Sequence, residues 1–386
     1  MKKITLLLLF ITTLTFAQIP SGYYNSATGS GYTLKTQLYN IIKNHSDQGY
    51  GALWDLYTET PFRDNYYETN GSLLDMYSEN PDGSDAYEYT NTTQQCGNVG
   101  PEGTCYNREH LVPQAYFDNY AVNPMKNDAF HVIATDSKVN GWRDNLPFGR
   151  LSATTLSPCN SGATNKPCYT TNGSKLGFNN NFGYSAGFSG NVFEPIDEFK
   201  GDIARALFYF ATRYEPDMDN FYTTTTVSDT DSKAMFDGST NKVFSDTFLN
   251  ILITWHLNDE VSPREIAINN AIYNFQGNRN PYIDHPEYIC MIYSTQCANL
   301  SAQNFASLQQ VSIYPNPATN NEIFINTPAL LNNIKIISIN GQILKDIENP
   351  IMFDDYTYKV ENLSSGFYLL ILSSNNESVV KKIIVQ

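Results

Sequence analysis

Positive charge is scarce in this 386-residue chain: 24 Lys and Arg stand against 39 Asp and Glu, a formal charge of −15. Nonspecific grip on nucleic acid is mostly phosphate neutralisation, so this balance argues against tight binding to a nucleic acid. A local cationic groove near Arg108, Lys126, Lys138, Arg143, Arg205 and Arg279 can still coexist with an acidic body. The imbalance is sharpest between Asp55 and Glu88, where Asp55, Glu59, Asp64, Glu68, Asp75, Glu79, Asp82, Asp85 and Glu88 face the single Arg63.

Long apolar runs are also missing, except at the start. Met1-Lys2-Lys3 is basic, Ile4 to Phe16 is apolar, and the small residues Thr15 and Ala17 precede Gln18. This reads as a secretory signal over residues 1–17, cut before Gln18, because the run is too short to span a bilayer. No later segment is apolar enough to do so. The remainder is expected outside the cytoplasm, either secreted or attached at the cell surface.

Cysteine is sparse and ordered. The six fall into close pairs, Cys96 with Cys105, Cys159 with Cys168, and Cys290 with Cys297. That spacing suits local disulfides in an oxidising compartment, although six cysteines allow fifteen connectivities. Zinc is the rival reading, but no pair has the two-residue spacing of a zinc knuckle. The chain also has no His-Glu-x-x-His run and no ligand cluster for two metals, which removes support for a metallopeptidase or a two-metal phosphatase.

What is present is a compact chemical inventory. Asn107-Arg108-Glu109-His110 reads as the end of a strand, with Pro113 just beyond it. Val132-Ile133-Ala134 reads as a second strand, Thr135 or Asp136 as a cap, and Ser137 to Arg143 as two helical turns. Asn140 and Arg143 then share one helix face. Cleaving a phosphodiester takes a base, a divalent cation and a positive group for the transition state. Glu109 suits a hard cation such as Mg²⁺ and Asn140 offers a second oxygen, which leaves His110 as the base. Arg143 is the first choice for the positive group, with Arg108, Lys126 and Arg279 behind it. His131, one strand away from His110, either orients a water or holds the two strands together.

Several runs carry a resemblance. Cys105 to Gln114, Asp128-Ala129-Phe130-His131, Asp136 to Gly149, Gly201 to Arg205 and Gln276 to Pro286 resemble the secreted bacterial endonuclease I family, over roughly Gly22 to Tyr288. The resemblance implies an α+β fold with a ββα-metal (His-Me finger) core. It also implies cleavage of DNA, and of RNA, with little sequence preference and with 5′-phosphate products. Carried over by position, the family's base is His110 and its Mg²⁺ ligands are Glu109 and Asn140, with Mn²⁺ or Ca²⁺ as alternatives. Leu111-Val112 and Ala115-Tyr116 depart from the usual residues, and no arginine lies between Arg108 and Arg143, where some members place a phosphate-binding one. The alternative is a catalytically silent nuclease fold that serves as a surface adhesin, which the acidic charge and Tyr-rich loops would suit.

The chain divides into a catalytic unit over 18–300, a linker over 301–310 and a tail over 311–386. In the first, Leu34, Leu38, Ile41 and Ile42 form a core-facing helical stripe, Ser157 to Gly190 reads as long loops, and Ile203, Ala206, Leu207, Phe210 and Tyr214 form another stripe. Ser262-Pro263-Arg264-Glu265 is a capping box, and Gly277 closes its helix. The tail shows short strands at 311–314, 323–326, 334–339, 356–360, 367–372 and 379–385, separated by turns such as Asn340-Gly341, which makes a small all-β sandwich. Tyr314-Pro315-Asn316-Pro317, Gly366-Phe367-Tyr368 and Val379 to Ile383 resemble the C-terminal sorting domain of the type IX secretion system. That resemblance implies the secretion machinery as a partner, and the chain is expected to be a monomer.

Overall fold

A computed structural model describes residues 19–386 except 91, 98–99, 117–122, 153–155, 160–166, 224–232, 355–356 and 375–376. The expected signal segment, 1–17, lies outside the described residues. The architecture is mixed α/β followed by an all-β tail.

Helix α1 (Gly31–Ile42) forms where expected and buries Leu34, Leu38 and Ile42. Strand β1 (Tyr106–His110) pairs antiparallel with β2 (Val132–Asp136), with Glu109 opposite Ile133 and His110 opposite Val132. Helix α2 (Ser137–Arg143) follows at once. Of the two possible caps, Asp136 is the one used: its carboxylate accepts from the backbone N–H of Lys138 (2.7 Å) and Val139 (2.8 Å). The other carboxylate oxygen accepts from Tyr89 Oη and from the N–H of Gly103. Asp75 secures the same corner, accepting from Thr135 Oγ1 and from the N–H of Asp136.

The core behind this unit is helical. Helix α3 (Lys200–Arg213) is buried along nearly its whole length and packs on α1 and on α4 (Asp246–Asn258), a buried apolar helix absent from the sequence reading. Helix α5 (Pro263–Gln276) has its capping box in place, and Gly277 takes φ 89°, the left-handed conformation that glycine reaches without steric cost. Asp128 ties these layers together. Its carboxylate accepts from Tyr209 Oη, Tyr214 Oη, Gln276 Nε2 and the N–H of Phe130, so the run Asp128 to His131 serves as a structural hub.

Three parts of the expected organisation change. Residues 157–190 are not only loop: short strands at Ser157–Pro158, Cys168–Tyr169, Lys175–Phe178 and Asn191–Glu194 form a four-stranded sheet. Two- to four-residue strands set among Asn- and Gly-rich loops are too short to display alternation. The stretch read as a linker is mostly helical, inside α6 (Ser294–Gln309). The tail adds two strands, Ile343–Glu348 and Met352–Asp354, completing two four-stranded antiparallel sheets. These sheets bury alternate residues such as Ile323 and Ile325, Ile334 and Ile336, and Leu370 and Leu372 against each other. All three cysteine pairs are disulfides with the expected partners, which removes the zinc reading.

Replacing Asp136 by Ala should strand two helix N–H groups and a buried tyrosine hydroxyl, lowering the unfolding free energy by roughly 2–4 kcal/mol. Urea denaturation measures this, and a loss of under about 0.5 kcal/mol would show that the corner does not depend on the cap.

Candidate active site

The end of β1 sorts its side chains to two sides. Glu109 turns inward, 3% exposed, and both of its side-chain donors meet one oxygen: Tyr77 Oη at 2.9 Å and Arg143 Nη1 at 3.0 Å, both on Oε1. Its other oxygen, Oε2, meets no side-chain donor among the described residues. Burial pushes the Glu109 carboxyl up to about 7, against the pull of the Arg143 charge. Asn140 donates Nδ2 to Asn107 Oδ1 (2.8 Å) and, at longer range, to the Arg108 carbonyl (3.4 Å). This fixes the amide and leaves its Oδ1 without a donor among the described residues. A carboxylate oxygen and an amide oxygen held in this way suit a hard divalent cation that keeps most of its waters.

His110 faces the other way. Its Nε2 lies 3.0 Å from the Lys126 carbonyl, which can only accept, so the proton sits on Nε2 and the lone pair on Nδ1. Gln114 Nε2 lies 3.0 Å from that Nδ1. Burial, with the nearby His131, Lys126 and Arg108, holds the imidazole well below its usual pKa and therefore neutral. The Tyr50 ring stacks on it at 5.7 Å. Arg108 lies over the same tyrosine at 3.4 Å and over Trp54 at 4.4 Å, and Lys126 Nζ is 4.9 Å from Tyr50. Beside Tyr50 and Lys126 opens a recess of about 420 Å³, lined also by Asp47, Gln48, Asn123 and Asn127.

Three expected substrate groups are elsewhere engaged. Arg143 was expected to meet the transition-state charge, yet it is 1% exposed and gives Nη1 to Glu109 and the His110 carbonyl and Nη2 to the Leu111 carbonyl. Arg279 is 1% exposed and doubly bonded to Asp284. His131 is fully enclosed, with Nε2 2.6 Å from the Met125 carbonyl, and burial takes it down to about 4. Arg205 is likewise spent, on Glu265. The expected groove thus shrinks to Arg108, Lys126 and Lys138, each partly exposed. Tyr50, Trp54, Tyr77 and Gln114 were missed. Tyr50 and Tyr77 sit far from the motif in sequence, and nothing in their neighbourhoods signals chemistry.

Comparison with known proteins places these residues in context. The family model described as Endonuclease I matches residues 30–287, and that of a secretion system C-terminal sorting domain matches 312–386. A protein of Bacillus subtilis (strain 168) called extracellular ribonuclease is 30% identical over 274 residues, 69% of this chain and 76% of its own. One of the same name from Bacillus amyloliquefaciens is 29% identical over 273 residues, with the same coverage. Among solved structures, PorZ of Porphyromonas gingivalis aligns at 21% identity over 21% of this chain and 12% of its own, with a TM-score of 0.17, too low to bear on the fold.

Replacing Arg143 by Met should leave Glu109 buried without its counter-charge and destabilise the fold by roughly 3–5 kcal/mol. Lys should not restore it, since one ammonium cannot reach both a carboxylate and two carbonyls as a guanidinium fork does. Denaturation midpoints of the two variants decide this; a fully stable Lys variant would contradict the clamp.

Proposed function

This chain belongs to the Endonuclease I family, and from that premise we propose that it hydrolyses RNA and DNA without sequence preference, leaving 5′-phosphate ends. It is a nuclease, a phosphodiester hydrolase, and it is secreted or held at the cell surface. The name of the two Bacillus relatives supports RNA as a substrate. The sorting domain supports the type IX machinery as the export partner. One chain carries every group invoked, so a monomer suffices.

The observation that carries the mechanism is the pairing of a neutral, oriented imidazole with two oxygens that no side-chain donor occupies among the described residues, Glu109 Oε2 and Asn140 Oδ1, around one strand end. In this reading β1, β2 and α2 form a ββα-metal core, and Glu109 and Asn140 hold one Mg²⁺, which Mn²⁺ or Ca²⁺ can replace. When bound, the ion supplies positive charge at the scissile phosphoryl group. His110 Nδ1 takes the proton of a water that displaces the Gln114 amide, and the water oxygen attacks phosphorus as the bond to the 3′-oxygen breaks, that oxygen leaving as a hydroxyl with a proton from solvent. The Lys126 carbonyl holds the imidazole in that tautomer. Arg108 and Lys126 meet the phosphate charge from the Tyr50 side, while Arg143 keeps Glu109 in place.

Activity on plasmid DNA and on RNA should vanish with EDTA and return with Mg²⁺. His110→Ala should lower the rate by roughly 10² to 10⁴; digestion at the wild-type rate would remove His110 as the base. Below about pH 7 the Glu109 carboxyl keeps its proton, which competes with the cation. The acid limb of activity should therefore move to lower pH as Mg²⁺ is raised. A limb that stays fixed across metal concentrations would count against Glu109 as a ligand.

A further inference from the structure

The acidic segment between Asp55 and Glu88 plays no part in this chemistry, yet its carboxylates converge. One oxygen each from Asp64, Glu68 and Glu79 lies within 4.8 Å of the others. The single arginine of the segment, Arg63, does not neutralise them, for it donates to the carbonyls of Gly71 and Thr90. Among the described residues none of the three carboxylates forms an ion pair. Glu79 is only 1% exposed, and its Oε1 is enclosed without any hydrogen-bond partner. An enclosed carboxylate oxygen with no donor, on a residue whose carboxylate also meets two others, is costly unless something positive sits beside it.

We propose that Asp64, Glu68 and Glu79 bind a Ca²⁺ ion, at a second site distinct from Glu109 and Asn140. Ca²⁺ takes six to eight oxygens in flexible geometry, whereas Mg²⁺ prefers one or two carboxylates and several waters. Asp64 is already oriented, with Oδ1 accepting from the N–H groups of Tyr66 and Tyr67 and Oδ2 from that of Thr69. The site bears on catalysis because the same segment carries Tyr77, which donates to Glu109, and Asp75, which holds Asp136. The ion therefore braces the wall behind the catalytic carboxylate.

The test uses the exported full chain, stripped with EDTA, as wild type and as Glu79→Gln, Glu68→Gln and Asn140→Ala. Thermal melting and titration calorimetry with CaCl₂ are the readouts. Saturating Ca²⁺ should raise Tm by about 3–6 °C in wild type and in Asn140→Ala. In both Gln variants the rise should be clearly smaller than in wild type, with one fewer equivalent of Ca²⁺ bound. Both should melt in EDTA no lower than wild type, since a neutral amide relieves the repulsion. If Glu79→Gln does not fold, the partly exposed Glu68→Gln decides alone. Retention of the full shift in the Gln variants, or its loss in Asn140→Ala alone, overturns the second site.

Discussion

A carboxylate withdrawn from water must find donors in the protein, and Asp136 finds four of them at the joint between β2 and α2. Those bonds fix the direction in which α2 leaves the sheet. That direction places Asn140 against the backbone of Arg108 and Arg143 against Glu109, thirty residues earlier in the chain. The site is thus assembled from a corner, and the corner is set by one side chain and by Asp75 behind it.

The same rule decides which cations are available for chemistry. Glu109 is buried, so an arginine must be buried with it, and Arg143 is committed to a carboxylate and two carbonyls. Arg205 and Arg279 are committed in the same manner to Glu265 and Asp284. An acidic protein with few basic residues spends most of its nearby arginines on its own interior. What remains for a polyanion is Arg108, Lys126 and Lys138, the first two spread over an aromatic shelf that also presses on His110.

Much of this was legible in the sequence where chemistry and structure coincide locally. The strand, cap and helix around Glu109, His110 and Asn140 follow one another within forty residues, and the capping box at Ser262 and the nearest-neighbour cysteine pairs are local as well. The burial of Arg143 on Glu109 and two carbonyls is not legible in the sequence, because helix spacing gives the face of a side chain, not what lies opposite. The need of Glu109 for a counter-charge follows only from its burial. Tyr50 and Tyr77 reach the site only through tertiary folding, from segments whose own patterns say nothing of it. Helix α4 escaped because an apolar helix buried on all sides has no polar stripe to give it a period. The strands between residues 157 and 194 escaped because two to four residues cannot establish one.

Each of the three disulfides joins cysteines seven or nine residues apart, and none reaches across the chain. Thiols that close in sequence meet most often in an extended polymer, because loop-closure entropy rises with contour length. For this protein the most frequent encounter is also the native partner. A chain that enters an oxidising compartment before it has folded can therefore lock its bridges in any order, segment by segment, without a wrong pairing to undo.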